Sequence, residues 1–206
     1  MSAQPQPRPE LLLAPRNATE DAILAAARAS LDHDAFETIT METIARRAFV
    51  SRTSVYFYFP NKRAVVDRLI QIAFAEAHAA AAPYFEGQGE PRMELRLALA
   101  RVVACVNRHA NVLLLAAHLS DREDQLPSEW EPYLRRFVAS AARRIRRDQE
   151  RGVAPGDIPA KLAAQALCAM VERHVTTEVM KGGANADESI RVLSELWWRG
   201  VYSRPA

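Results

Sequence analysis

Apolar residues along this chain recur at intervals of three and four, and no run alternates with period two for long, so the pattern predicts helix and an all-α fold. Ile23, Leu24, Ala27 and Leu31 form the first stripe. Thr19 is the expected N-cap, Glu20 and Asp21 sit in the positively polarised first turn, and the helix should end near Asp34. A second, short helix starts after the cap Thr40, collecting Met41, Ile44, Ala45 and Ala48 on one side while Arg46 and Arg47 face outward. Only Phe49 and Val50 intervene before Ser51, another cap. Ser51 opens a third helix that Pro60 halts, because the residue before proline avoids helical angles. Two short helices across so tight a turn predict a helix-turn-helix. Asn61 caps a long fourth helix reaching about Ala82. Beyond PYFEGQGEP, read as a break, helices are expected over 91–109, 111–119, 127–151, 159–181 and 186–203, separated by HAN, SDREDQLP, GVAPGDIP and KGGANAD.

The third helix carries an unusual row. SVYFYFPNK, residues 54–62, holds Tyr56 to Phe59, four of the chain's 15 aromatic residues. On a helix, i and i+4 share a face. Val55 with Phe59 therefore turns inward toward Ile44 and Leu24, Thr53 with Phe57 points the opposite way, and the pairs Arg52–Tyr56 and Ser54–Tyr58 flank that outward face. An outward phenylalanine beside threonine, serine and tyrosine suits a helix in the DNA major groove, where apolar groups meet thymine methyls. The Tyr56 and Tyr58 hydroxyls then donate to phosphates on the groove walls. The amide groups at the helix starts near Thr40 and Ser51 add anion sites, and Lys62 reaches another phosphate. A purely local hydrophobic cluster is the competing reading of the row.

Charge favours the DNA reading. The formal net charge is only +2, yet between Arg46 and Arg68 six basic residues face one acid, Asp67, a local excess of +5 suited to a phosphate backbone. The chain, at 206 residues and 49% hydrophobic, is long enough for a real core. Its Pro-rich residues 1–17 read as a disordered tail whose Arg8 and Arg16 are solvated; residues 18–66 form the DNA-binding domain, and 67–206 a larger helical domain. Cys105 and Cys168 stand far apart without a CxxC, and neither a signal peptide nor a membrane span is evident, which predicts a reducing cytoplasmic setting.

Other chemistry is thinner. Cys105 with His109, and His174 with Glu178, stand at i, i+4, so each pair offers two metal ligands. Neither has a third ligand nearby in sequence, HExxH is absent, and no metal or cofactor is expected. A helical enzyme dependent on a small molecule or metal is the alternative from another functional class. With no nucleophile elbow and no glycine-rich phosphate loop, the reading here is that the chain is not an enzyme. In LRRFVASAARRIRRDQER, residues 134–151, Leu134, Phe137, Val138, Ala141 and Ile145 keep helical spacing, so the arginines are expected on a solvated face rather than on a second nucleic-acid surface.

The stretch from 40 to 66, TMETIARRAFVSRTSVYFYFPNKRAVV, resembles the N-terminal signature of the TetR/AcrR family of bacterial transcriptional regulators. It matches at Thr40, Ile44-Ala45, Ala48, Val50-Ser51, Tyr56, Tyr58-Phe59 and Lys62. The resemblance implies that Thr40 and Lys62 hold phosphates, that Ser51 caps the recognition helix, and that Arg52, Thr53, Ser54 and Tyr56 contact bases or backbone. Ala35 and Phe49 stand where the family often has glycine. At the corner occupied by Phe49 a left-handed backbone is commonly needed, which costs a residue with a Cβ about 1–2 kcal/mol. Either the ring recovers that energy by packing, or the turn differs.

RGVAP at 151–155, MVER at 170–173 and the segment from Trp197 to Tyr202 extend the likeness to the ethionamide-resistance-regulator subgroup. That implies a helical receptor domain with an elongated pocket for an apolar small molecule. The subgroup's two pocket asparagines are matched by Cys168 and Val171, and His174 is a further polar handle. By the chain's own chemistry the expected lining is Leu95, Leu99, Val102, Trp130, Phe137, Met170 and Trp197. The last two helices carry wide apolar faces, Leu162, Ala166, Ala169, Met170 and Val175, then Ile190, Leu193, Leu196, Trp197 and Val201. The surplus predicts a homodimer through those helices, which places two recognition helices on a palindrome. The combined expectation is a cytoplasmic repressor released from a double-stranded DNA operator by a small apolar effector, with the fourth helix as lever.

Overall fold

The computed structural model describes residues 17–87, 89–119 and 130–203. All regular structure among them is helical: α1 (Ala18–Leu31), α2 (Met41–Arg47), α3 (Arg52–Tyr58), α4 (Lys62–Ala80), α5 (Ala82–Glu86), α6 (Pro91–Arg108), α7 (Ala110–Leu119), α8 (Glu131–Glu150), α9 (Ala160–His174) and α10 (Ala186–Tyr202). A 3-10 turn occupies Phe36–Thr38 and a π turn Val175–Val179. The tail over 1–16, with Arg8 and Arg16, and the SDREDQLP break lie outside the described residues.

Side-chain caps set most helix starts. Asn17, not Thr19, caps α1: its Oδ1 accepts the Glu20 N–H at 2.9 Å, and Thr19 lies inside the helix. Thr40 and Thr43 form a reciprocal capping box at α2, with N–H to Oγ1 distances of 3.1 and 2.9 Å. Ser51 Oγ accepts from Ser54 N–H at 3.0 Å, and Asn61 Oδ1 from Ala64 N–H at 2.9 Å. The stretch read as a break, PYFEGQGEP, instead contains α5, which ends on Gly87 at φ 80°, the left-handed region glycine favours. The expected 159–181 helix is regular only to His174. In the π turn that follows, Met180 N–H donates to Val175 O at 2.9 Å while the Thr176 and Thr177 hydroxyls donate to the Glu172 and Arg173 carbonyls.

The chain forms two compact units. The first runs to Ala73 and includes the chain from Asn111 in α7; the second holds Phe74–Ala110 and α8 to α10, so α4 contributes to both. In the first, Ile23, Leu24, Ile44, Ala45, Val55, Phe59, Val65 and Leu69 are buried. In the second, α8 packs on α9 and α10 on α6, over a core that includes Tyr84, Leu95, Val103, Ala141, Ile145, Leu193 and Trp197. No single helix among the described residues is long and apolar enough to cross a membrane.

The arginines of α8 depart from the solvated face expected of them. Arg135, Arg136, Arg143 and Arg146 are exposed, but Arg144 is buried. Its Nε donates to Asp148 Oδ2 at 2.6 Å and its Nη1 to Tyr84 O at 2.7 Å. Asp148 Oδ2 also accepts from Tyr202 OH at 2.7 Å, the Tyr84 and Tyr202 hydroxyls are 3.2 Å apart, and Trp197 Nε1 donates to Tyr84 OH at 3.1 Å. A buried guanidinium is tolerable because this web answers its charge and its donors together. Burial pushes the Tyr84 phenol up to about 12 against the opposing hydrogen bonds from Tyr202 and Trp197, so its proton stays in the web.

Candidate functional site

Burial of Val55 and Phe59 on the inner side of α3 turns its other face to solvent. There Phe57 is 81% exposed and Tyr56 43% exposed, beside exposed Arg52 and Thr53 and half-buried Ser54. The Arg52 guanidinium lies 5.5 Å from the Tyr56 ring centroid, and hydrogen bonding to Tyr56 raises its pKa above the ordinary arginine value. Tyr58 is half-buried; its hydroxyl accepts from Asn17 Nδ2 at 2.7 Å and retains its own O–H to give. The four rings thus have different surroundings, as the helical spacing predicts. A purely local cluster leaves Phe57 unexplained.

The turn between α2 and α3 keeps its left-handed backbone. Phe49 has φ 55° and is 96% exposed, so its ring recovers by packing none of the about 1–2 kcal/mol that such a backbone costs. Ala35, by contrast, adopts φ −64° and ψ 140°, extended values that need no glycine.

Lys62, read from the sequence as a phosphate ligand, places its Nζ 2.9 Å from Phe36 O, 3.2 Å from Ile39 O and 3.4 Å from Glu37 O. The ammonium also lies 4.3 Å from the Phe36 ring centroid, so Lys62 ties the start of α4 to the turn leading into Thr40. Several cations of the basic window are answered within the chain: Arg47 by Asp34 at 2.9 Å, Arg63 by Asp67 at 2.9 Å and Arg68 by Glu20 at 3.0 Å. Arg46 and Arg52 stand exposed outside these pairs. The local field is therefore smaller than the sequence window suggests, because two of the neutralising acids come from outside it.

In the second unit, the expected pocket residues divide into two sets. Leu95, Leu99 and Trp197 are buried in the main apolar cluster, with Val102, Cys168, Met170 and Val171 half-buried against it. Trp130 and Phe137 belong to two aromatic sets the sequence did not reveal: in one Trp130 meets Phe74 at 5.4 Å and Phe74 stacks on Tyr133 at 5.1 Å, and in the other Phe137 meets His78 at 5.1 Å and Phe85 at 6.3 Å. Trp130 is buried, and its Nε1 has no acceptor among the described residues. His174, half-buried, lies 2.8 Å through Nε2 from Ser189 Oγ. Burial pushes the Cys168 thiol up to about 12 and raises the neighbouring Glu172 carboxyl, the latter against a hydrogen bond from Thr176 and the charge of Arg173.

A solvent-facing reading helix in a helix-turn-helix unit, with one long helix continuing into a separate helical unit, defines a DNA-binding regulator. Comparison with known proteins gives the family. Residues 23–69 match the family model for bacterial regulatory proteins of the tetR family, and residues 95–203 match that for the C-terminal domain of the transcriptional regulator EthR. The HTH-type transcriptional regulator EthR of Mycolicibacterium smegmatis is 26% identical over 186 residues, covering 89% of this chain and 86% of that protein. EthR of Mycobacterium tuberculosis is 26% identical over 187 residues, covering 89% and 87%. Among solved structures, the SmeT–triclosan complex aligns at TM-score 0.73 with 19% identity over 91% of this chain and 93% of that one. The fatty acid degradation regulator FadR of Bacillus halodurans aligns at 0.70 with 16% identity over 89% and 96%. The chain belongs to the TetR family of transcriptional regulators, in the EthR subgroup; it is a ligand-responsive DNA-binding regulator, and the enzyme alternative falls away.

Proposed function

We propose that the protein is a homodimeric repressor whose paired α3 helices read a palindromic operator and which a small apolar effector releases. The observation that carries this reading is the outward face of α3, where Phe57 and Tyr56 stand in solvent while Val55 and Phe59 hold the helix to its unit. Thr53 and Phe57 meet base edges, Arg52, Ser54 and Tyr56 contact bases or the strand beside them, and Thr40, Ser51 and Tyr58 lie toward phosphates. Lys62 serves this interface through the turn it holds, which presents Thr40.

The second unit supplies control. SmeT is known as a triclosan complex and Bacillus halodurans FadR as a regulator of fatty acid degradation, which supports an apolar effector here too. Leu95, Leu99, Val102, Met170 and Trp197 offer apolar surface, with Cys168 and Val171 at the positions where the subgroup places amides. Phe137 adds an aromatic wall, and His174 and the Trp130 Nε1–H offer polar contacts. An effector acts by binding one spacing of the two reading heads better than the other, and α4 transmits the difference because it belongs to both units. Work on an operator places the protein in the cytoplasm.

Selection of bound duplexes from a random pool, followed by fluorescence anisotropy on the winner, tests the reading. Tyr56→Ala should weaken binding about tenfold or more, the scale of a lost base or phosphate contact, at unchanged helicity. Lys62→Ala should weaken it while leaving the slope of log K against log salt near the parent's; a slope lower by about 0.9 per half-site would instead make Lys62 a direct phosphate ligand. A failure to select any duplex, or a Tyr56→Ala variant of parental affinity, would overturn the assignment of α3.

A further inference from the structure

Cys105 and His109 lie one helical turn apart at the end of α6, and the fold brings Glu76 of α4 to them. A ring nitrogen, the thiol sulfur and a carboxylate oxygen from the three residues all lie within 4.8 Å of one another. His109 Nε2–H donates to Glu76 Oε2 at 2.9 Å. The thiol and imidazole are buried, whereas the Glu76 side chain is 46% exposed and opens the cluster to solvent. We propose that Glu76, Cys105 and His109 form a three-ligand site for a divalent transition metal of the zinc class, joining α4 to α6.

The donor set decides the metal. A thiolate and an imidazole favour zinc-like ions over magnesium or calcium, which take oxygen ligands, and the carboxylate completes a facial set with a fourth position left for water or an exogenous ligand. Ligand bonds of about 2.0–2.3 Å draw the three atoms inward by side-chain rotation. The ion takes the place of the His109–Glu76 hydrogen bond: by exchange with solvent the ring passes to its other neutral tautomer, protonated at Nδ1, which frees the Nε2 lone pair for the metal. As the sulfur–metal bond forms, the thiol proton leaves to solvent, so affinity rises with pH. Arg108, whose Nη2 is 3.9 Å from the same Glu76 oxygen, opposes the cation and must swing toward water. Cys168 provides an internal control, because burial holds its thiol protonated.

Glu76 belongs to the helix that begins at Lys62 in the DNA-binding unit, so an ion fixing it to α6 favours one setting of α4. That extension rests on the proposed function above; the metal site itself does not. The test is a titration of the full-length, tag-free, reduced protein with Co²⁺, read by absorption. One equivalent should produce a thiolate-to-cobalt charge-transfer band and the intense visible bands of a four-coordinate ion, both displaced by Zn²⁺. Cys105→Ser should abolish the charge-transfer band, and Cys168→Ser should preserve it. Glu76→Gln, at the solvent-facing ligand where folding is not at stake, should weaken Co²⁺ binding about tenfold or more.

A folded parent protein without the band, a band that survives in Cys105→Ser or vanishes in Cys168→Ser, or parental Co²⁺ affinity in Glu76→Gln would each overturn the site. Duplex affinity measured with and without Zn²⁺ separates the extension: a Zn²⁺-dependent change lost in Glu76→Gln supports coupling through α4, and a Zn²⁺-loaded protein of unaltered DNA affinity overturns it.

Discussion

At Phe49 a residue with a Cβ holds a positive φ and leaves its ring in solvent, so neither packing nor backbone relaxation offsets the strain within the chain. Phe49→Gly should raise stability by about 1 kcal/mol, since the relieved strain exceeds the entropy glycine adds to the unfolded chain. Denaturant midpoints measure this, and anisotropy should find duplex affinity unaltered. A large loss of binding at parental helicity would mean that the ring docks on DNA. Residue by residue, the sorting of Tyr56 to Phe59 was legible because helical periodicity alone assigns the faces. The partners of Lys62, Arg47 and Arg68 were not, because each side chain bonds a group distant in sequence that only the packing of α1, the 3-10 turn, α2 and α4 brings near. The metal-ligating set shows the same limit: the α6 pair was visible as i, i+4, while Glu76 arrives from another helix.

Among the helices, those opened by a capping side chain were the easiest to place: Thr40, Ser51 and Asn61 each do in the structure what their side chains suggest. Asn17 displaced Thr19 because both are competent caps two residues apart, and spacing to the first apolar residue does not separate them. The brevity of α5 hid it between turn signals, and the π turn differs from α-helix by a single residue of hydrogen-bond reach, which leaves no composition signal. Where α4 meets α8, burial and then the charges of Arg136 and Arg143 lower His78 from 6.5 to about 4, with its Nε2 3.0 Å from Ser140 Oγ. The unfolded chain therefore binds the His78 proton first on acidification. The stabilising contribution of the neutral ring is full above about pH 6.5, declines as pH falls, and is gone below about 4. His78→Gln, which keeps a hydrogen-bonding tip without a titrating ring, should flatten the loss of melting temperature across that window.

For the molecule as a whole, the apolar surface left by α9 and α10 supports the proposed homodimer. Leu162 is 60% and Leu196 49% exposed, with Val192, Ala166 and Ala169 also open, while Ile190, Leu193, Trp197 and Val201 are spent on the interior. Leu196→Glu should leave the fold intact, being a surface change, yet shift the protein to monomer in sedimentation velocity and weaken palindrome binding. A persistent dimer would place the interface elsewhere. Against that outer face stands the buried web of Arg144, Asp148, Tyr84, Tyr202 and Trp197, which pins α5, α8 and α10 to one another. Arg144 and Asp148 share α8, so the bonds between helices are those of Tyr84 O with Arg144, Tyr202 with Asp148 and Trp197 with Tyr84. Each buried group left unpaired by sliding would cost about 1–3 kcal/mol, as much as usually couples two binding sites. These three helices therefore act as a stator: a shift of α4 driven by a ligand has to leave this frame assembled or forfeit its buried bonds.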